Sequence, residues 1–303
     1  MLREGLADSP EAFDAAFNKV TDQMRDKKQR DKVYELEDVK PLFSPHNFWD
    51  SQPVPKVSDE LSFPEEAYDK AIINQTLDLV RKEPYALPDG FWWADVNMES
   101  DDEANELYKL LTANYVEDDD AMFRFDYKVP FLRWALNPPG YHKSWMLGVR
   151  GGKKNTLFGF IAGIPVHTRV NGKSIKMCEI NYLCVHKKLR AKKLAPVLIK
   201  EITRRVNLTE VWQAVYTAGT TIPTPCGHAT YWHRNINCKK LVDTRFTYLK
   251  AGVPMSRYVR IHKLPNKPDI EGIREMKEKD IEQVKDLLNN FLEKNSKVHF
   301  DFS

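Results

Sequence analysis

A chain of 303 residues is long enough for one large domain or two modest ones, and an apolar share of 42% with 15 Phe, 12 Tyr and 7 Trp can fill a core of that size. No apolar run approaches the ~20 residues that a membrane span needs, and the acidic, amphipathic start from Met1 to Lys27 lacks the basic-then-apolar order of a signal peptide. With no CxxC pair among Cys178, Cys184, Cys226 and Cys238, neither a zinc knuckle nor a disulfide framework follows, and a net charge of +3 leaves any anionic ligand to a local patch.

Residues 1–40 are dense in charge of both signs and read as a solvated helix or a disordered arm. Pro41 to Pro64, rich in proline and aromatics, reads as extended but sticky. From Glu66 to Lys82 apolar residues recur at helical spacing (Ala67, Ala71, Ile72, Leu77, Leu79, Val80), which predicts a helix ended by Pro84 to Gly90. Ser100 to Val116 predicts a better one. Ser100 is a candidate cap with Glu103 three positions on, and Leu107, Leu110, Leu111 and Tyr115 share a face. Next comes an acidic loop, Glu117 to Asp120. Trp145 to Arg150 and Thr156 to Ile164 read as strands around a Gly151–Lys154 turn, and Lys173 to Val185 as a long strand after the hairpin signal Asn171-Gly172. Leu194 to Val206 is helical in period, and Val211 to Tyr216 is strand-like. Arg245 to Leu249 and Tyr258 to His262 are expected to be two further strands. Gly272 to Asn295 reads as a short extended piece and an amphipathic helix through Ile281, Val284, Leu287, Leu288, Phe291 and Leu292. Helices interleaved with strands predict an α/β or α+β fold on a mixed sheet.

The stretch from Glu179 to Pro196 runs strand, basic loop, helix start. A helix N-terminus presents unpaired N–H groups and partial positive charge, which suit phosphate. Lys187, Lys188, Arg190, Lys192 and Lys193 would add attraction for a polyanion. Taken alone, the same loop reads more often as a solvated turn than as a phosphate site, and a nucleic-acid patch lacks any module signature.

Several segments together resemble the N-myristoyltransferase family. Phe48-Trp49-Asp50-Ser51-Gln52-Pro53-Val54-Pro55 is similar to its FWDTQPVP, and Glu83 to Phe91 to its EPYxLPxGF. Asn114 to Tyr127 resembles NYVEDDDxMFRFDY, and Glu179 to Pro196 resembles EINFLCVHKKLRSKRLAP, continued by Glu201 to Val206. Ala214 to Gly219 and Tyr231-Trp232-His233-Arg234 complete a match in family order from about Asn47 to Leu292.

The resemblance implies a GNAT-like acyltransferase fold in two related halves, with a mainly antiparallel mixed sheet flanked by helices. It divides the chain into the charged arm 1–40, an acyl-CoA-binding domain 41–265 and the start of a second half at 266–303. It implies transfer of myristoyl from myristoyl-CoA, as substrate and with no prosthetic group or metal, to the N-terminal glycine of peptides or nascent proteins. The setting it implies is cytoplasmic, with peripheral ribosome or membrane association allowed and no nucleic acid.

By position, Asn47, Phe48 and Trp49 would cover the CoA and acyl chain. Tyr182 and Leu183 would form a backbone oxyanion hole, with Cys184 and Val185 next along the strand. Arg190, Ala191, Lys193, Leu194 and Ala195 would hold the CoA phosphates. Ala191 stands where the family has Ser, and Lys193 where it has Arg, which keeps the charge but not the fork; weaker CoA binding is expected. Tyr182 stands where the family has Phe. Asn181 and Thr217 match positions near the incoming amine, although strand and turn hydrogen bonding would explain them equally. Val116, Glu117, Asp118, Asp120, Phe123, Phe125, Tyr127, Tyr231 and His233 match the peptide groove, where an acidic loop would select a basic residue. Without the resemblance, Tyr231 and His233 would read as core.

Two backbone donors would stabilise the tetrahedral oxyanion by roughly 3–4 kcal/mol each. No side-chain nucleophile is needed, so Cys184 reads as a small buried residue. The family's base is its own C-terminal carboxylate, after a complete second half; this chain stops at Phe300-Asp301-Phe302-Ser303. The expectation is that this base and much of the peptide groove are absent, that apolar faces are exposed, and that acyl-CoA binding outlasts turnover. A non-catalytic acyl-CoA-binding protein and a nucleic-acid binder using Lys187–Lys193 are the other readings.

Overall fold

The structure is a computed structural model and describes residues 45–54, 71–117, 122–219, 227, 229, 231–267 and 270–302. The arm at 1–40 and the first residues of the Glu66–Lys82 helix expected from sequence lie outside these. The described chain forms two compact units, one from the residues up to 219 together with 285–302, the other from those between 227 and 284.

The first unit is built on a six-stranded sheet. Its strands are β1 (Phe91–Asp95), β2 (Met146–Gly151), β3 (Thr156–Val170), β4 (Lys173–Val185), β5 (Ala214–Tyr216) and β6 (Val298–Phe300). The first five lie side by side in that order, and β6 pairs with the end of β3. All pairings are antiparallel except β4 with β5, which is parallel. The hairpin signal holds: Asn171 and Gly172 take positive φ of 48° and 80°, the turn that suits right-twisted strands.

Helices cover both faces. α1 (Asp101–Asn114) starts where Ser100 Oγ accepts the Glu103 N–H at 3.4 Å, and Asp101, Asp102 and Glu103 complement the positive end of its dipole. It buries Leu107, Leu110 and Leu111. α2 (Val129–Leu136) opens with Pro130 in its first turn, where a missing N–H costs nothing, and buries Leu132 and Leu136. Together they enclose Phe160, Ala162, Tyr182 and Cys184 on one side of the sheet. On the other side, α3 (Leu194–Asn207) packs Leu198, Ile202 and Val206 against Trp145, Val149, Ile161 and Cys178.

α3 is tied down through a buried ion network. Glu201, fully buried, accepts from Arg204 at 2.7 and 2.9 Å, from Arg205 at 3.1 Å and from the Tyr85 N–H at 3.0 Å. Arg204 also donates to the Lys82 carbonyl at 2.9 Å. The EPY segment is thereby fastened to the helix.

Three expectations are corrected. Between 71 and 82 there is only a 3-10 turn, Leu77–Leu79, and Ile72, Ile73, Leu77 and Leu79 are exposed. Helical spacing without a surface to bury the stripe leaves little to hold a helix. Arg245–Leu249 is not a strand: Phe246 and Thr247 both donate back to the Leu241 carbonyl as α4 (Cys238–Asp243) ends. Tyr258–His262 lies in and just beyond α5 (Met255–Ile261), where a stretch of five residues was too short to separate the two periods. β1, α2, α4 and β6 were not anticipated.

α6 (Ile281–Asn295) is the expected C-terminal helix, preceded by a 3-10 turn in which Asp280 pairs with Arg274 at 2.6 and 2.7 Å. Its Leu287, Leu288 and Phe291 are exposed rather than packed. β6 is held by a reciprocal pair between Asn289 and the Phe302 backbone, at 2.7 and 3.0 Å, and by Arg169 to Asp301 at 3.1 Å. No helix among the described residues is long and apolar enough to cross a membrane.

Candidate active site

The sheet is irregular at one place on β4. Phe160 pairs with Cys184 and Ala162 with Asn181, so Tyr182 and Leu183 both lie opposite Ile161. This is a β-bulge: one extra residue, locally out of the ladder. Tyr182 takes φ +56°, uncommon for any residue but glycine and typically costing about 1–2 kcal/mol. The bulge switches which side chains face which core. Before it, Cys178 and Ile180 face α3; after it Leu183 and Val185 do, while Tyr182 and Cys184 face α1.

The bulge coincides with the end of strand pairing on the other side. β5 pairs with β4 only at Cys178–Ile180, its last residue Tyr216 opposite Ile180. Asn181 and Thr217 therefore sit where the two strands stop pairing, both exposed. Trp49 stacks on Tyr216 with ring centroids 5.7 Å apart and planes 9° apart, and Phe48 meets Trp49 edge-on at 5.0 Å. That brings part of the FWDSQPVP segment to the end of β5, with Asn47 exposed beside it.

Around Tyr182 the aromatic side chains converge. Its ring lies 5.8 Å from Tyr115 and 5.6 Å from Tyr127, and Tyr127 stacks on Phe125 at 5.4 Å and on Phe131 at 5.3 Å. Burial pushes the Tyr182 phenol up to about 12, with Tyr127 and Tyr115 adding to it. Cys184 is likewise pushed up to about 12 by burial, so its thiol stays protonated and is no nucleophile. The Tyr182 N–H donates to Asn181 Oδ1 at 2.8 Å, and Tyr115 Oη donates to the same oxygen at 3.4 Å.

Downstream of β4 the basic loop divides into two sets. Lys187 Nζ and Arg190 pair with Glu117 at 3.0 and 3.2 Å, Arg190 also donates to the Asn114 carbonyl at 2.6 Å, and Lys187 N–H to Asn114 Oδ1 at 3.0 Å. These two fasten the loop to the end of α1. Lys188, Lys192 and Lys193 remain exposed. Ala191 and Lys193 take positive φ, 63° and 58°, and α3 begins at Leu194 with no side-chain cap. Leu194 and Ala195 donate their N–H to no protein acceptor among the described residues. The turn thus presents uncapped donors beside exposed lysines, an arrangement suited to phosphate oxygens.

The acidic loop is partly engaged. The Lys187 ammonium holds the Glu117 carboxyl below its ordinary value, with Arg124 contributing at 3.4 Å. Glu117 thus faces the chain's own cations, and Asp118 and Asp120 lie outside the described residues. Val116 is exposed at φ +40° and Phe123 is half-buried. Tyr231 and His233 belong to the second unit; Tyr231 is exposed, and His233 meets the Phe246 ring at 5.7 Å.

Two residues escaped the sequence reading. Tyr115 was counted as a helix-face residue, but as a half-buried phenol it reaches Asn181. Glu179 is half-buried on β4, with no ion pair or hydrogen bond from its carboxylate among the described residues, and burial raises its carboxyl above the ordinary value. An acid set directly between the apolar Cys178 and Ile180 was the available signal.

An acyltransferase fold with a bulged strand, a phosphate-suited turn and an aromatic flank defines the class. The description "Myristoyl-CoA:protein N-myristoyltransferase, N-terminal domain" matches residues 72–229, and that family's C-terminal domain matches 243–303. The chain belongs to the N-myristoyltransferase family. It is 50% identical over 249 residues to glycylpeptide N-tetradecanoyltransferase 1 of Arabidopsis thaliana, covering 82% of this chain and 57% of that protein. With the Plasmodium falciparum glycylpeptide N-tetradecanoyltransferase it shares 47% over 258 residues, 85% of this chain and 62% of that one. A crystal structure of Saccharomyces cerevisiae N-myristoyltransferase with bound myristoyl-CoA and inhibitors superposes with a TM-score of 0.78 at 40% identity, over 88% of this chain and 60% of that chain. The chain spans a little over half the length of these relatives.

Proposed function

We propose that the chain binds myristoyl-CoA and transfers its tetradecanoyl group to the N-terminal glycine amine of proteins in the cytoplasm. The observation that carries this is the bulge at Tyr182–Leu183, which takes two residues out of register with β3 where β5 has also ended. A thioester carbonyl placed there meets the main-chain amides of Tyr182 and Leu183, while the pyrophosphate reaches the turn from Ala191 to Ala195. Trp49, stacked on Tyr216, covers the far side.

The peptide enters along Phe125, Tyr127 and Tyr182. Its amine, with a reference pKa near ~8, must shed a proton before attack. Asn181 and Thr217 orient it at the parting of β4 and β5. The neutral amine nitrogen then bonds to the carbonyl carbon, the oxyanion is held by the bulge amides, the nitrogen gives its second proton to water, and collapse breaks the carbon–sulfur bond to expel CoA thiolate. Donors fixed in place before charge develops account for the rate gain, roughly 3–4 kcal/mol each.

The test is CoA release from myristoyl-CoA with a glycine-led peptide, alongside equilibrium binding of myristoyl-CoA. Saturable binding and thiol release that depends on a free N-terminal glycine are expected. Folded protein with no saturable affinity for long-chain acyl-CoA overturns the reading; binding without peptide-dependent release overturns the transfer step alone and leaves an acyl-CoA-binding protein.

A further inference from the structure

Tyr182 N–H donates to the carboxamide oxygen of the residue before it, at 2.8 Å, with the Tyr115 hydroxyl also against this amide. The bulge explains why such an acceptor is needed. An amide displaced from the ladder and left unpaired beside a buried ring costs about 1–3 kcal/mol. Asn181 is exposed, so its side chain reaches the amide without being locked by packing. It is the oxygen of the carboxamide that faces both Tyr182 N–H and the Tyr115 hydroxyl, as two converging donors require.

We propose that Asn181 Oδ1 is an internal stand-in for the acyl carbonyl oxygen, occupying the same donors and competing with the thioester for them. The inference rests on the acyl-CoA reading above and deepens it by assigning a gate to the oxyanion site. Two oxygens cannot share the position, so a thioester carbonyl takes Tyr182 N–H only as the carboxamide turns away. Turning about its side-chain torsions, the carboxamide moves on the exposed side of β4, where Thr217 follows the last paired residue of β5. One residue then guards the amide and, once displaced, faces the amine. The Tyr115 hydroxyl, freed from Oδ1, remains as a second donor to the arriving oxygen.

Competition of this kind has a signature that a merely structural asparagine lacks: it discriminates ligands with a carbonyl from those without. Myristoyl-CoA and S-tetradecyl-CoA, a thioether with no carbonyl, are to be titrated into the full chain and into Asn181→Ala and Asn181→Asp. In Asn181→Ala the competitor is gone, and affinity for the thioester is expected to rise about 2–10-fold relative to the thioether, the equivalent of one ordinary hydrogen bond. In Asn181→Asp the competitor is a carboxylate and its hydrogen bond roughly twice as strong, so thioester affinity relative to thioether should fall by about 10-fold. Amide exchange at Tyr182 reports the cap directly, and should quicken in the alanine variant and slow in the aspartate one. If both ligands shift together in both variants, the stand-in role is overturned while the acyl-CoA reading survives. If neither ligand binds any variant, the acyl-CoA reading itself fails, and the inference with it.

Discussion

Glu179 occupies a position where a carboxylate is costly. Its register partner Ile164 packs against the α1-side core, and burial alone raises the Glu179 carboxyl above its ordinary value. A group whose folded pKa is raised costs stability once it ionises, so stability is lost as pH climbs from the ordinary value, near about 4.3, through the raised one. Glu179→Gln removes that cost. The expected result is a melting temperature higher by on the order of 2 °C at pH 7.5, with the gain vanishing below about pH 4.5. Thermal melts of both proteins at several pH values check it; an equal shift at every pH would mean that packing, not ionisation, is responsible. A carboxylate kept at a cost beside Asn181 is the pattern of a functional group, and in the CoA-release assay the same substitution should flatten the pH profile. The acid was visible in the sequence, but its isolation was not: the lack of a partner depends on what the sheet brings near it. The positive φ at Tyr182 was hidden for a different reason, since tyrosine, unlike glycine, gives no sign of a left-handed backbone.

At the scale of elements, the legible parts were those whose signal is local. Ser100 with Glu103 announced α1, Asn171-Gly172 set the β3–β4 turn, and β4 has the expected bounds because apolar content and length agree there. The short pieces were not legible. β1 needs β2 beside it, β6 needs the end of β3, and three to five residues carry too little pattern to stand alone. Glu201 shows the same limit, because in sequence it is one more charge on a helix. In the fold it is fully buried and joins α3 to the segment from Lys82 to Tyr85. Burial pushes its carboxyl up, but Arg204, the Tyr85 amide and Arg205 together hold it below the ordinary value. A depressed folded pKa gives stability that is present above the unfolded value and lost as pH falls through the folded one. Glu201→Gln leaves the buried Arg204 guanidinium without its counter-charge, while Arg205 keeps Asp95, and a loss of about 3 kcal/mol is expected at pH 7. Urea unfolding should show that loss shrinking as pH falls from the ordinary carboxylate value through the lowered one, where the wild-type carboxylate takes up its proton. A loss that persists undiminished in acid would assign it to packing.

For the whole molecule, the division of labour follows from where apolar surface is satisfied. The sheet unit closes two cores, one on each face, and carries the bulge, the phosphate-suited turn and the aromatic flank between them. α6 is different. It has the periodicity of a core helix, yet Leu287 and Phe291 are 69% and 61% exposed, and Phe300 and Phe302 on the following segment are also exposed. Sequence could show that this helix has an apolar stripe; only the fold shows that no described residue covers it. Clustered apolar side chains of this size seldom stay in water unpartnered, and the edge of β6 beyond its pairing with β3 adds free backbone groups. Concentration-dependent association is therefore expected of the purified chain, by sedimentation velocity over a concentration series. The double substitution Leu287→Glu with Phe291→Glu should suppress it. Because neither side chain is buried in the folded chain, stability should stay within about 0.5 kcal/mol of the original. Association that survives the double substitution would move the contact elsewhere on the surface, and a large loss of stability would mean that α6 packs more firmly than its exposed leucines and phenylalanines imply.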